Sequence, residues 1–296
     1  MKRYFILSML AVVLGNTAAS ASVLQQEAEN DNKYELKVGN LTMTIDAAKG
    51  AKILSFKYQD AEVINQSRWP ESFGSTFWTS PQKEWNWPPV QEIDKGTYTV
   101  EKRDGQLVMT SQAAQKLGYR VRKTFAVDEQ DQAIVVTYAI INETDETRQV
   151  APWEITRVPN DGIIFFDAPL EGITPAGLLP LKAEHGAIWY AVDEANENRK
   201  INADGKGWLA YCAKGLLLVK KFQDLQAGEP APGEAEIQVY VNRGKTYIEI
   251  ESQGAYTTLK PKEELSWTVR WYLKPVKAEP VPSADLLHAS MGCIIP

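Results

Sequence analysis

The sequence predicts an all-β fold, a large antiparallel β-sandwich with few short helices, on three observations. Apolar and polar residues alternate with a period of two along most of the chain, the pattern of strands with one buried face. Hardly any stretch sustains helical periodicity. No strand–helix alternation of the kind that builds a parallel sheet is present, so many short strand-like runs at close spacing call for two packed antiparallel sheets.

The runs can be followed in order. Tyr34, Leu36 and Val38 alternate, then Leu41, Met43 and Ile45. Val100 and Leu107-Val108-Met109 flank Arg103-Asp104-Gly105, which reads as a hairpin turn. Arg120 to Val127 and Ala133 to Asn142 are β-branched and aromatic runs separated by the polar Asp128-Glu129-Gln130-Asp131. Ala151 to Pro159 is a strand flanked by prolines. Gly215 to Phe222, Glu236 to Asn242, Thr246 to Glu251 and Leu265 to Leu273 continue the pattern, with a Pro/Gly turn region at residues 227–233. Residues 191–200 and 283–290 are the candidates for short helices.

The N-terminus carries the grammar of a secretory signal. Lys2 and Arg3 give a positive start, Phe5 to Leu14 an apolar stretch, and Ala19-Ser20-Ala21 a small-residue cleavage site. Residues 1–21 are therefore expected to be a signal peptide cleaved near Ala21, residues 22–33 a mobile polar segment, and residues 34–296 a single sandwich domain in the periplasm or outside the cell. The apolar stretch is short for a membrane span. Loss of Lys2 and Arg3 moves the formal charge from −6 to −8. An acidic chain is a poor partner for nucleic acid or an anionic membrane. Cys212 and Cys293 are the two cysteines, and in an oxidising compartment they either pair or stay as buried thiols. With two histidines in the whole chain a His-rich metal site is excluded. No phosphate loop, dinucleotide fingerprint or nucleophile elbow occurs, so no cofactor is called for.

One stretch stands apart. From Phe73 to Pro89 the chain reads FGSTFWTSPQKEWNWPP, with Trp78, Trp85 and Trp87 within ten residues, interleaved with Ser, Thr, Gln, Asn and Pro rather than aliphatic residues. Indole faces beside amides and hydroxyls suit a sugar, which offers apolar C–H faces rimmed by hydroxyls; an aromatic minicore under a long loop is the other reading. In Tyr247–Gln253, Ile248 and Ile250 share the core face, and Tyr247, Glu249, Glu251 and Gln253 share the other. In Leu265–Leu273, Trp267 and Trp271 point inward, Arg270 and Tyr272 outward. If these two strands pair, Arg270 and Tyr272 lie beside the glutamates. In Ala151–Pro159, Trp153 and Glu154 alternate in direction, so at most one faces a given cleft, and Glu154 with Arg157 forms a salt bridge across a bend or an edge-strand ion pair.

Two motifs carry a family resemblance. Gly50-Ala51-Lys52-Ile53-Leu54-Ser55-Phe56 followed by Gln59-Asp60-Ala61-Glu62-Val63-Ile64 resembles the opening of aldose 1-epimerases, the galactose mutarotases. Glu251-Ser252-Gln253 followed by Leu259-Lys260-Pro261-Lys262-Glu263 resembles that family's Glu-Thr-Gln strand and Leu-x-Pro-Gly-Glu turn. The resemblance covers nearly the whole chain after the signal segment. It implies a mutarotase-like supersandwich with a carbohydrate site on a concave sheet face, and the aromatic stretch together with Trp153–Arg157 looks like a secreted branch of the DUF4380 type. By the same match Glu251 is the base. The family's acid is a His in an Asn-His-x-Tyr-Phe-Asn strand, whose counterpart, Gln149 to Arg157, contains no His.

Two functional readings follow. In the first the protein binds a mono- or oligosaccharide, with Trp78, Trp85, Trp87 and Trp153 against sugar rings and Glu251, Gln253, Arg157 and Arg270 on hydroxyls. In the second it is an epimerase-like or other carbohydrate-modifying enzyme with Glu251 as base and Glu154 as acid, its pKa raised by burial. A non-catalytic interaction protein, with the tryptophans as loop core, is a third. The net negative charge disfavours polyanionic glycans unless Arg68, Arg157 and Arg270 gather in the cleft.

Overall fold

In a computed structural model, which describes residues 24–26, 32–68 and 72–294, the strands assemble into two antiparallel sheets of eleven and ten strands. The expected signal peptide lies outside the described residues. The first sheet runs Leu24–Gln26, Lys33–Val38, Leu41–Asp46, Lys52–Tyr58, Ser75–Ser80, Arg148–Val158, Ile248–Gln253, Ile237–Val241, Arg199–Ala203, with short strands Ala61–Glu62 and Thr257–Leu259 attached. The second runs Lys182–Glu184, Ala187–Ala191, Ile163–Phe166, Trp208–Ala213, Leu216–Lys221, Glu264–Pro275, Ala133–Asn142, Tyr119–Asp128, Gln106–Thr110, Thr99–Arg103. The period-two pattern produces this directly: Tyr119–Asp128 reads buried at Tyr119, Val121, Lys123 and Phe125, with partly exposed residues between.

The inner faces meet in one apolar cluster drawn from both sheets. Phe77 of the first stacks on Tyr138 of the second at 4.5 Å, and Phe56 meets Trp271 edge-on at 5.6 Å. Such aromatic pairs add to the area they bury. A second, smaller cluster lies on the far side of the second sheet, where Leu286 of the helix Ala284–Ile294 covers Leu217, Val219 and Phe165. That helix matches the one expected at 283–290. The Asp104-Gly105 turn, at φ 52° and 74°, joins Thr99–Arg103 to Gln106–Thr110 as a two-residue hairpin.

Several expectations are corrected. Residues 191–200 form no helix; the chain there leaves the strand Ala187–Ala191, bends, and enters the strand Arg199–Ala203. Within the segment expected to be mobile, Leu24–Gln26 pairs with Tyr34–Leu36. Of the two states left open for Cys212 and Cys293, both are free thiols. The strands carrying Glu251 and Arg270 do not pair: Ile248–Gln253 lies between Arg148–Val158 and Ile237–Val241 in the first sheet, and Glu264–Pro275 lies in the second. Among the described residues no helix is long and apolar enough to cross a membrane.

Candidate functional site

The outward face of the first sheet carries a cleft, and strand register explains its lining. Opposed residues of antiparallel strands share a face. Trp78 is opposite Trp153, Trp153 opposite Gln253, Arg157 opposite Glu249, Glu249 opposite Tyr240, and Tyr240 opposite Lys200. This places side chains from five strands on one surface, roofed on one side by the connection after Ser80 that holds Trp85, Trp87 and the short helix Gln91–Asp94.

The four tryptophans have distinct roles. Trp78 and Trp153 meet edge-to-face at 5.3 Å, and Trp85 packs against both at 5.6 and 6.4 Å. Trp85 is 2% exposed and donates Nε1–H to the Thr79 carbonyl, so it is the base of the cluster and not a sugar contact. Trp87 stands edge-on to Trp78 at 6.1 Å and is 65% exposed. The stretch is thus both minicore and open platform, divided by position.

Polar groups fix the rings. Asp94 Oδ1 accepts from Trp78 Nε1 and from Thr76 Oγ1, both at 2.8 Å, and Asp94 Oδ2 accepts from Lys52 Nζ at 3.2 Å. Burial raises the Asp94 pKa, but Lys52 and these donors outweigh it and hold the carboxyl below its usual value. Trp153 Nε1 and Lys200 Nζ both donate to Glu251 Oε2, at 2.8 and 3.0 Å, and the Lys200 ammonium sits 4.6 Å over the Trp153 ring. Burial pushes the Glu251 carboxyl up strongly; Lys200 opposes this and Glu249 adds to it. Among the described residues Glu251 Oε1 has no hydrogen-bond partner. Arg157 pairs with Glu249 at 2.7 Å and reaches the Phe73 carbonyl at 3.3 Å, and its buried Nε has no partner among the described residues.

Two cavities of about 390 and 400 Å³ share Ser72, Trp78 and Trp87 as walls. The first adds Trp153, Lys200, Tyr240, Glu249 and Glu251; the second adds Lys52, Asp94, Lys95 and Arg157. A larger cavity of about 850 Å³ adjoins the second sheet, where Lys221 and Lys274 donate to the Ile294 and Ala289 carbonyls of the C-terminal helix. Its cations cap a helix end.

Of the residues singled out in the sequence, Trp78, Trp87, Trp153, Arg157 and Glu251 come together in the cleft. Gln253 shares their face but is buried, donating to Glu234 and Gln238. Glu154 does not reach the cleft: one residue along the strand from Trp153, it points between the sheets, where it pairs with Lys220 at 2.6 Å and accepts from Tyr138 at 2.7 Å. Arg270 faces away on the second sheet, bound to Asp128 and Asp131. His185, in a turn, and His288, on the C-terminal helix, are exposed and line neither cavity. Lys52, Asp94, Lys200 and Tyr240 were missed. The alternation in Ile237-Gln238-Val239-Tyr240-Val241 put Tyr240 on a polar face, but nothing local says which strand lies beside it.

No protein-family model matches the chain, and no curated protein matches it, so the DUF4380-type branch gains no support from either. Solved structures do match. A galactose mutarotase-like protein from Lactobacillus casei superposes with TM-score 0.60 at 13% identity, over 82% of this chain and 100% of that one. A putative aldose 1-epimerase from Escherichia coli gives 0.58 at 12% identity, over 82% and 99%. A galactose mutarotase-like protein from Clostridium acetobutylicum gives 0.57 at 10% identity, over 86% and 99%. The two-sheet architecture is therefore the galactose mutarotase-like fold.

Proposed function

We propose that the protein binds a carbohydrate in this cleft, acting outside the cytoplasm as its signal-like N-terminus implies. The observation that carries the reading is Trp87: a large ring left 65% exposed, set edge-on against a second indole over a cleft rimmed by carboxylates, amines and phenols. An isolated exposed Trp in a soluble domain loses favourable burial, whereas a ring at the mouth of a pocket recovers it against the C–H face of a sugar. Glu249, Glu251, Lys200 and Asn242 then supply hydroxyl contacts from the cavity wall. The fold shared with mutarotase-like proteins points to the same ligand class without fixing the chemistry. The test is a panel of mono- and oligosaccharides titrated against intrinsic tryptophan fluorescence, on wild type and Trp87→Ala. A saturable shift with one sugar class, weakened at least about tenfold in the variant, supports the reading. Equal affinity in both proteins refutes the role of Trp87, and silence across the panel refutes the reading itself.

One observation favours turnover as a second reading. Glu251 has a carboxyl pushed up by burial and an oxygen without a partner among the described residues, the state of a group able to take a proton near neutrality. Anomer exchange followed by NMR on wild type and Glu251→Gln separates binding from catalysis.

A further inference from the structure

We infer that the cleft takes a chain of at least two sugar units, one in each cavity, laid across the strands with Trp87 at the join. This rests on the carbohydrate reading above and names the ligand class it implies. The length of the lined surface carries it. Lys52 lines the second cavity from the strand Lys52–Tyr58, and Lys200 lines the first from Arg199–Ala203. Between those two strands in the sheet lie Ser75–Ser80, Arg148–Val158, Ile248–Gln253 and Ile237–Val241. Each of the four also contributes a wall residue, in turn Trp78, Arg157, Glu249 and Tyr240. Neighbouring strands lie about 4.8 Å apart, so a lining drawn from six adjacent strands runs about 24 Å across the sheet. A single pyranose ring covers a fraction of that length.

The two cavities are consecutive along this line. Ser72, Trp78 and Trp87 wall both. The floor passes from one to the other through a bonded pair: Arg157 lines the second cavity, Glu249 lines the first, and they meet at 2.7 Å from opposed positions on neighbouring strands. At about 390 and 400 Å³, each cavity lies at the small end of ligand pockets, which run from about 300 to about 1,000 Å³, so each suits one ring. Each also has an apolar wall of its own beside the shared one, Trp153 in the first and Pro88 with Pro89 in the second. Trp87 is 65% exposed and belongs to both walls, so two linked rings cover more of its apolar area than one ring does. Once one unit is seated, a linked second unit is held beside the other cavity at high effective concentration.

The test titrates the full chain by calorimetry with glucose, mannose, galactose and xylose, and with the disaccharides cellobiose, maltose, mannobiose, galactobiose and xylobiose. In the series that responds, the disaccharide is expected to bind at least about tenfold more tightly than its monosaccharide, and once per chain. Lys95→Trp, which sets a bulky ring at an exposed position of the second cavity, should bring that ratio toward one. A ratio unchanged in Lys95→Trp puts the second unit outside the second cavity and overturns the assignment. A monosaccharide bound as tightly as its disaccharide overturns the two-unit cleft while leaving carbohydrate binding intact. A disaccharide bound twice per chain does the same, because the cavities are then independent sites. No binding of any sugar in the panel overturns the inference together with the reading beneath it.

Discussion

The placement of Glu154 between the sheets makes a demanding prediction, because the sequence also allowed it a catalytic role. Glu154 and Lys220 are both 0% exposed on their side chains and meet at 2.6 Å. Each has further partners: Tyr138 donates to Glu154, while Lys220 donates to Thr156 Oγ1 at 2.8 Å and lies 4.6 Å over the Trp271 ring. Lys220→Met removes one charge and strands the other in the interior, which costs about 3–5 kcal/mol. Against a total stability of about 5–15 kcal/mol, this lowers the melting temperature by on the order of 10 °C. Glu154→Gln strands the ammonium instead. Burial already depresses the Lys220 pKa, with Glu154 opposing, so without Glu154 the amine is driven further toward its neutral form. A base whose folded pKa lies below its unfolded value gains stability as pH rises between the two, so the deficit of Glu154→Gln should shrink from pH 7 toward pH 10. The double variant Glu154→Gln/Lys220→Met leaves no orphan charge and should recover to within about 1–2 kcal/mol of wild type. Urea unfolding of the four proteins reads the cycle, and sugar titration of each at low urea reads the site. Additive losses with no recovery in the double variant would refute the buried-pair argument. A Glu154→Gln protein as stable as wild type but devoid of sugar turnover would restore Glu154 to catalysis.

Two further outcomes follow from the same structure. Gly50 has φ of +69°, and a Cβ there would stand 2.1 Å from the Asp94 carbonyl oxygen, so Gly50→Ala should cost about 2–5 kcal/mol in urea unfolding and, by shifting the residue that holds the Trp78 indole, change near-ultraviolet circular dichroism; an unchanged spectrum and midpoint would contradict it. Burial raises Glu236 to about 7 from an ordinary 4.5, even though the Gly207 and Leu225 amides pull the other way, so its contribution to stability is full below about pH 4.5 and is lost as pH rises through about 7. The gap between Glu236→Gln and wild type should therefore move by about 3 kcal/mol in favour of the variant across that window, and a gap independent of pH would refute the assignment.

The comparison of sequence with structure turns on which patterns are local. Strand content was legible because period-two alternation is a property of a few consecutive residues, and the same parity put Glu249 and Glu251 on one face of Tyr247–Gln253. Pairing is not local. Lys200 reaches Glu251 only because Arg199–Ala203 lies beside Ile237–Val241, which lies beside Ile248–Gln253, and no feature of the sequence around residue 200 announces either neighbour. The approach of Arg270 to the glutamates depends on their two strands pairing, and it fails for the same reason: strands adjacent in the chain lie in opposite layers. Glu154 failed differently. Parity correctly separated it from Trp153 but left open which of the two faces the cleft, and the ring lies on the cleft side and the carboxylate on the core side. The inversion is possible only because Lys220, in the apolar run Leu216-Leu217-Leu218-Val219-Lys220, turns inward from the facing sheet to meet it. A pattern inverted at Trp153 and Glu154 costs the core a buried ion pair and gives the outer face an aromatic wall. Local rules broken with a compensating partner elsewhere are where functional surfaces are expected, and here the break falls on the strand that carries both Trp153 and Arg157 into the cleft.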